Sequence, residues 1–398
     1  MISSATRSFV VLFAVLTLAM YYGFAQQPSP SPGVLPAPTP TPEQIQPEQD
    51  AIRTVTEEIQ ITVTSLDSHG RLDPTLELAD ILVLEDGVAQ ELRSARRVPA
   101  HVLLLLDTGG EINSAKRVRL TREIARNLVT TLNPQDEIAI MQFNSKVELL
   151  QNWTIDKDAL LQTLDQKLLS GKRARFLDAI MASASHLSDR PQGNRHVVMI
   201  TDGVQSSGER VDRNAAMRRF QAANAVVHVV SYTTVSRQAT AHDRKYTRKR
   251  DKSLVPDAAI ETLPRTPNNE AVRRAHEPGG IIVDLDPERR RAIKQYEAAM
   301  RASEAQLAAM AEESGGRIWL PETAEEMIDD GARAARLIDS QFVVTYKPRR
   351  SLATSREGEV RRIEVASRRV GLTLVSRRQF VIPPSASASP DRARRVAP

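Results

Sequence analysis

Residues 101–112 read "HVLLLLDTGGEI", and this stretch decides the fold. A continuous apolar run with no polar alternation suits a strand covered on both faces, as at the centre of a parallel sheet. Open α/β sheets place their sites just beyond the carboxyl ends of such strands. Asp107 stands at that end, followed by Thr108, Gly109 and Gly110. A second run of the same kind, "HVVMITDG" at 196–203, closes on Asp202. Two carboxylates at neighbouring strand ends, each followed by a glycine-bearing turn, make an oxygen-rich cavity suited to a hard cation such as Mg2+, Mn2+ or Ca2+. Aspartates here would equally serve as caps for the helices that follow.

Outward from this strand the periodicity alternates between apolar strands and helical stretches, from Val102 to Leu337. A helix is predicted over 116–132, with strands in "DEIAIMQF" and "VELLQNW" behind it. Helices follow at 157–169 and 176–187, then "HVVMITDG", a helix at 213–224 and the strand "AVVHVVSY". A long helix, the strand "GGRIWL" and a helix at 324–338 complete the series. This order predicts an α/β fold: a doubly wound, mostly parallel sheet with helices on both faces. The flanks are strand-like instead. "EIQITVTSLD" alternates, and "ILVLEDGVAQEL" reads as two short strands around an Asp-Gly turn. "QFVVTYK", "VRRIEVAS" and "GLTLVSR" follow Ser340. The two flanks are expected to join in one small β-sandwich, with the α/β domain inserted between its halves.

The ends carry different information. Arg7 precedes an apolar run from Phe9 to Phe24, and small residues stand at 23 and 25, which is the pattern of a secretory signal over 1–25. Residues 26–50 alternate proline with small polar residues and read as a semi-rigid linker. The expected divisions are then N-terminal β-strands at 51–98, the α/β domain at 99–338, C-terminal β-strands at 339–383 and a disordered basic tail at 384–398. The chain has 398 residues and no cysteine, which excludes disulfides, thiolate metal sites and a lipid-bearing cysteine anchor. The net charge of +5 comes from 54 basic and 49 acidic residues, so its distribution matters more than its sum. Aromatics make up 4%, too few for base-stacking platforms, and export makes nucleic acid an unsuitable partner.

One segment fits neither pattern. Residues 234–284 exceed an ordinary connection and are read as a long basic insert. Arg244, Lys245, Arg248, Lys249, Arg250 and Lys252 concentrate charge there, and such a field draws anionic glycans or an envelope surface. The alternative is a solvated loop. Asp286-Pro287 then supplies a cap and a first-turn proline for the long helix over 285–313, with Ile293, Tyr296, Met300, Leu307 and Met310 on one face.

"LLLLDTGGEI", "DEIAIMQFN", "FLDAI", "HVVMITDG" and "VVHVVSY", in this order, resemble the von Willebrand factor type A (VWA) domain. The flanking segments resemble the bacterial VWFA-related proteins that follow a signal peptide. The resemblance implies a Rossmann-like sheet and a metal-ion-dependent adhesion site. The family's motif is Asp-x-Ser-x-Ser after the first strand, with a threonine from a second loop and an aspartate from a third. Neutral hydroxyls bind the metal there, which leaves it short of charge and ready for a partner's carboxylate.

This sequence departs from that motif. Asp107 and Asp202 match, but Gly109 and Glu111 stand in place of the serines, and Ala174 in place of the threonine. Two readings follow. In one the site is degenerate and metal-free, with a nearby arginine (Arg173 and Arg175 flank Ala174) neutralising the aspartates as an ion pair. In the other Asp107, Glu111 and Asp202 form an altered carboxylate-rich metal site. No HExxH, G-x-S-x-G, P-loop or G-x-G-x-x-G occurs. His196 and His228 fall in predicted strands and read as structural. The expected function is an exported, non-catalytic interaction or adhesion module. Its protein partner would meet the upper rim through Thr108, Gly109, Arg173 and Arg175, with the basic insert beside them. A divalent-cation-dependent adhesion domain is the alternative, and a metal-dependent hydrolase a remote one.

Overall fold

A computed structural model describes residues 57–110, 114–206, 211–238, 260–276 and 287–383. The chain from Val55 onward forms one compact unit. Its centre is a six-stranded sheet. The strands are β5 (His101–Asp107), β6 (Glu137–Phe143), β7 (Val147–Thr154), β8 (Arg195–Thr201), β9 (Val226–Ser231) and β10 (Arg317–Trp319). Their order is β10-β9-β8-β5-β6-β7, and all neighbours run parallel except β6 and β7. The sequence leaves β5 toward β6 on one side and reaches β8 on the other, so the topological switch point lies between β5 and β8. The apolar run of β5 is fully buried on both faces. Val102, Leu104 and Leu106 meet α1 (Ser114–Thr131), α2 (Lys157–Lys167) and α7 (Ala324–Ser340). Leu103 and Leu105 meet α3 (Phe176–Ser188), α4 (Arg213–Ala222) and the C-terminal half of α6 (Pro287–Ser314).

The flanks form two four-stranded antiparallel sheets. One has β13 (Thr373–Ser376), β1 (Ile59–Leu66), β11 (Phe342–Lys347) and β4 (Glu91–Arg96) in that order. The other runs β14 (Gln379–Val381), β12 (Val360–Ser367), β2 (Ile81–Glu85) and β3 (Val88–Ala89). Ile59, Ile61 and Val344 from the first sheet and Val83, Ile363 and Phe380 from the second share one core, so the strands make the expected sandwich. The segment after the Asp-Gly turn corrects one expectation. Asp86 and Gly87 both have positive φ, +49° and +80°, as a tight hairpin turn requires. The following stretch is not one strand, however. Val88–Ala89 pairs with β2, whereas Glu91–Arg96 pairs with β11 in the opposite sheet. Gln90, whose N–H donates to the Val83 carbonyl at 2.9 Å, marks the crossing.

The insert holds more order than its composition suggested. Pro267–His276 is a helix, α5, and the Asn269 N–H donates to Thr266 Oγ1 at 3.3 Å. Thr266-Pro267 is the same cap-and-proline signature that announced α6. Arg244, Lys245, Arg248, Lys249, Arg250 and Lys252 lie outside the described residues. In α6, Met300, Leu307 and Met310 are buried, while Ile293 and Tyr296 nearer its start are only partly so.

His196 and His228 stack within the sheet, with ring centroids 5.6 Å apart and planes 14° from parallel. His196 Nε2 lies 2.8 Å from Asn194 Oδ1 while its Nδ1 has no partner, and neither ring nitrogen of His228 finds one, so the first histidine is half satisfied and the second not at all. Burial pushes His228 down to about 3. Burial, and then His228 itself, holds His196 well below its ordinary value. Both are therefore neutral when folded and take up protons near 6.5 when unfolded. The contribution of His228 is full above pH 6.5 and falls by about 1.4 kcal/mol per pH unit as the pH drops toward 3, and that of His196 is lost in the same direction. His228→Phe is expected to flatten the loss of unfolding free energy between pH 6.5 and 4.5 by about 2–3 kcal/mol. Urea titrations of both proteins across that range check this, and parallel slopes would contradict it.

Candidate functional site

Asp107 ends β5 and Asp202 follows β8, so the switch point brings the two sequence-predicted carboxylates together. Both are buried. Asp107 accepts hydrogen bonds through both oxygens: Oδ1 from the Gly109 N–H at 3.0 Å and Oδ2 from the Thr201 hydroxyl at 2.8 Å. Asp202 Oδ1 accepts from the Val204 N–H at 3.0 Å.

A cation does sit beside these groups, paired with Asp202, and it comes from α1. Arg117 Nη1 donates to Asp202 Oδ2 at 3.1 Å and to the Gly109 carbonyl at 3.1 Å. Its guanidinium lies over the Tyr232 ring, 5.2 Å from the centroid, in cation–π contact. Tyr232 in turn shares a short hydrogen bond with the Thr121 hydroxyl. Burial opposes the guanidinium's charge, but Asp202 and Asp107 together hold its pKa above the ordinary arginine value. Burial first, and then the charge of Asp202, push Asp107 up to about 7, despite Arg117, Thr201 and Gly109 acting in the opposite direction.

The expectation of an arginine neutralising the aspartates thus needs a correction in its identity. Arg173 is exposed, and Arg175 Nε pairs with Asp178 Oδ2 at 3.1 Å. Neither has an ion pair with Asp107 or Asp202. Arg117 was missed because it reads as one of several basic residues on a helix surface. Its position three residues into a helix that starts directly above the β5 carboxyl end was the available signal.

Other predicted site residues divide by exposure. Thr108 is fully buried, and its Oγ1 accepts from Asn144 Nδ2 at 3.1 Å. Gly109 is buried too: a Cβ added there would lie 2.2 Å from the Arg173 carbonyl oxygen. Two further backbone bonds close the loops together, Gly171 N–H to the Thr108 carbonyl at 3.0 Å and Ser206 N–H to the Ala174 carbonyl at 3.0 Å. Of the partner-binding candidates in the described residues, Arg173 and Arg175 therefore present surface, and Thr108 and Gly109 support the floor beneath them. Glu111 lies outside the described residues.

Among the described residues this donor set does not fit a divalent cation. Gly109 and Ala174 offer no side-chain oxygen, and the space where a serine would project holds the Arg173 backbone. Asp107 already uses both oxygens, and a fixed positive group neighbours Asp202. No group of three or more His, Cys, Asp or Glu side chains able to hold a metal occurs among the described residues.

Known proteins bear on this geometry as follows. No curated protein matches the chain. Solved structures similar to it include an aerotolerance-related membrane protein from Bacteroides fragilis, 18% identical over 52% of this chain and 98% of that one, with a TM-score of 0.29. The conserved hypothetical protein BatB from Bacteroides thetaiotaomicron is 14% identical over 60% and 98%, with a TM-score of 0.35. A von Willebrand factor type A protein from Catenulispora acidiphila is 7% identical over 84% and 76%, with a TM-score of 0.37. Residues 102–205 match the sequence model of the von Willebrand factor type A domain, a span that runs from the second residue of β5 to just past Asp202. The switch-point aspartates lie inside that span, so the part of the chain that holds the candidate site is the part that matches the von Willebrand factor type A domain.

Proposed function

We propose that this chain is an exported, non-catalytic module that holds a protein partner on the rim above Asp107 and Asp202, and that it does so without a metal ion. The observation that carries the reading is the Arg117 guanidinium, 3.1 Å from Asp202 Oδ2 and 3.1 Å from the Gly109 carbonyl. A permanent cation in that position supplies the positive charge that the family's site takes from a metal. It is covalently part of the chain, so chelators cannot remove it. Around it Arg173, exposed beside the Arg175–Asp178 pair, adds positive charge on the accessible rim, which favours an acidic partner surface. The basic composition of the insert, with Arg244, Lys245, Arg248, Lys249 and Arg250, suits anionic glycans or an envelope surface. Export is inferred from the apolar run at 9–24. Among the described residues no helix is long and apolar enough to cross a membrane.

The test combines metal titration with crosslinking. Mg2+, Mn2+ and Ca2+ at millimolar concentration are expected to give no binding heat and no change in melting temperature against EDTA. A photo-crosslinking residue at position 173, in cells producing the full chain, is expected to trap the same partner with and without EDTA. Saturable metal binding that disappears in Asp107→Ala/Asp202→Ala would replace this reading with the cation-dependent adhesion domain. Crosslinks that vanish in EDTA would do the same.

A further inference from the structure

A cleft remains that the rim does not account for. It lies at the start of β9, the opposite end of the sheet from Asp107, where α4 and α6 meet the β13–β14 connection of the sandwich. Met217 and Phe220 of α4, Met310 of α6 and Val381 of β14 give it apolar walls. Arg377 also lines it, and this residue is only 6% exposed.

The partners of Arg377 are all neutral. Nη1 donates to Asn224 Oδ1 at 2.7 Å, and Nη2 donates to the Asn224 backbone carbonyl. Among the described residues no carboxylate forms an ion pair with it. A second guanidinium nearby, that of Arg195, is 7% exposed. It too donates only to carbonyls, those of Pro191, Ala223 and Arg190. Burial first, and then Arg195, push Arg377 down to about 10. A buried cation without a counter-charge is costly, and an arriving anion would offset that cost. Two donors of the guanidinium are engaged out of the five that arginine carries, so hydrogen-bonding capacity remains. Glu313 and Gln221 line the cleft as exposed residues, with Gln221 Nε2 3.4 Å from Glu313 Oε2. Glu313 repels an anion that stops at the mouth, which selects one that reaches the floor.

We propose that this cleft binds a carboxylate carried on a short aliphatic body. The carboxylate meets Arg377, and the body lies between Met217, Phe220 and Met310. Free medium-chain carboxylates and the C-terminus of an apolar peptide share this chemistry. The site is independent of the rim reading, since it uses neither Arg117 nor either aspartate.

Calorimetry on the full chain tests it with four probes: octanoate, octan-1-ol, and a hexapeptide ending in leucine as the free acid and as the amide. At least one acid is expected to bind saturably and to exceed its neutral counterpart by about tenfold or more, the size of a charge-assisted pair in a partly buried site. Whichever acid binds identifies the source. Met217→Trp, which fills the cleft from its partly exposed side, is expected to abolish binding with an unchanged melting temperature. Arg377→Lys is expected to weaken it by about tenfold through loss of the planar fork. Equal binding of acid and neutral probes, undiminished binding to the Met217→Trp protein, or no heat from either acid at millimolar concentration would overturn the proposal.

Discussion

Replacing Arg361 by methionine is expected to lower the unfolding free energy by about 3–5 kcal/mol, the usual cost of breaking a buried ion pair from one side. Arg361 is fully buried in β12 and pairs with Glu85 Oε1 of β2 at 2.7 Å. It also donates to the carbonyls of Arg350 at 3.0 Å and Ser351 at 3.1 Å, and to the Ser355 hydroxyl. Glu85 Oε2 accepts the Tyr346 hydroxyl at 2.8 Å, and Tyr346 belongs to β11 in the other sheet. The network therefore ties the two halves of the sandwich, which are separated in sequence by the whole α/β domain. Without Arg361 the Glu85 carboxylate is left in an apolar core, 3% exposed, and two carbonyls lose their donor. Adding Glu85→Gln removes the stranded charge. The double variant is expected to lose about 1–3 kcal/mol less than the sum of the single losses. Urea denaturation of the three variants measures this, and strictly additive losses would show that the two groups are not coupled.

Arg117→Met is expected to cost about 2–3 kcal/mol at pH 8, less than a fully buried pair because 17% of the arginine side chain is exposed. The loss depends on pH in a direction that the geometry sets. Asp107, already near 7 through burial and Asp202, loses an attractive charge and titrates higher still in the variant. A carboxyl whose folded pKa is raised binds its proton in the folded state before the unfolded state does. Its contribution to stability is therefore full below about 3.9 and is lost as the pH rises through the folded value. In the variant that gain on acidification begins at a higher pH, so the difference between the two proteins shrinks as the pH falls from 8 to 5.5. Asp107→Asn added to Arg117→Met is expected to recover much of the pH 8 loss, since it abolishes the repulsion without needing the proton. Denaturation at the two pH values decides the matter. An equal loss at both would mean that Arg117 acts by packing on Tyr232 and not by charge.

Several elements were legible because local chemistry determines them. The apolar runs of β5, β6, β8 and β9 read as strands covered on both faces, since only burial on two sides removes the period-two alternation. Cap-and-proline pairs announce helix starts: Asp286-Pro287 was read for α6, and Thr266-Pro267 carried the same signal for α5 unread. The division of 88–96 between two sheets was not legible, because Gln90 changes the partner of the chain and not its extended conformation. Asp107 and Asp202 were visible as candidates from their place at strand ends. That both oxygens of Asp107 are committed was not visible, since the Thr201 hydroxyl reaches it across the sheet, from a residue 94 positions away.

By itself the sequence determined the fold class, the pair of aspartates and the absence of hydroxyls at 109, 111 and 174, because those follow from composition and short-range order. The tertiary structure alone decided which cation answers the aspartates. Arg117 and Asp202 are separated by 85 positions, and only the parallel pairing of β5 with β8 brings Asp202 beneath α1. The structure alone also decided that position 109 cannot hold a side chain, since the Arg173 carbonyl occupying that space arrives on another loop. Steric exclusion and ion pairing act through space over a few ångströms, and the sequence carries no record of those distances until the strands are in register.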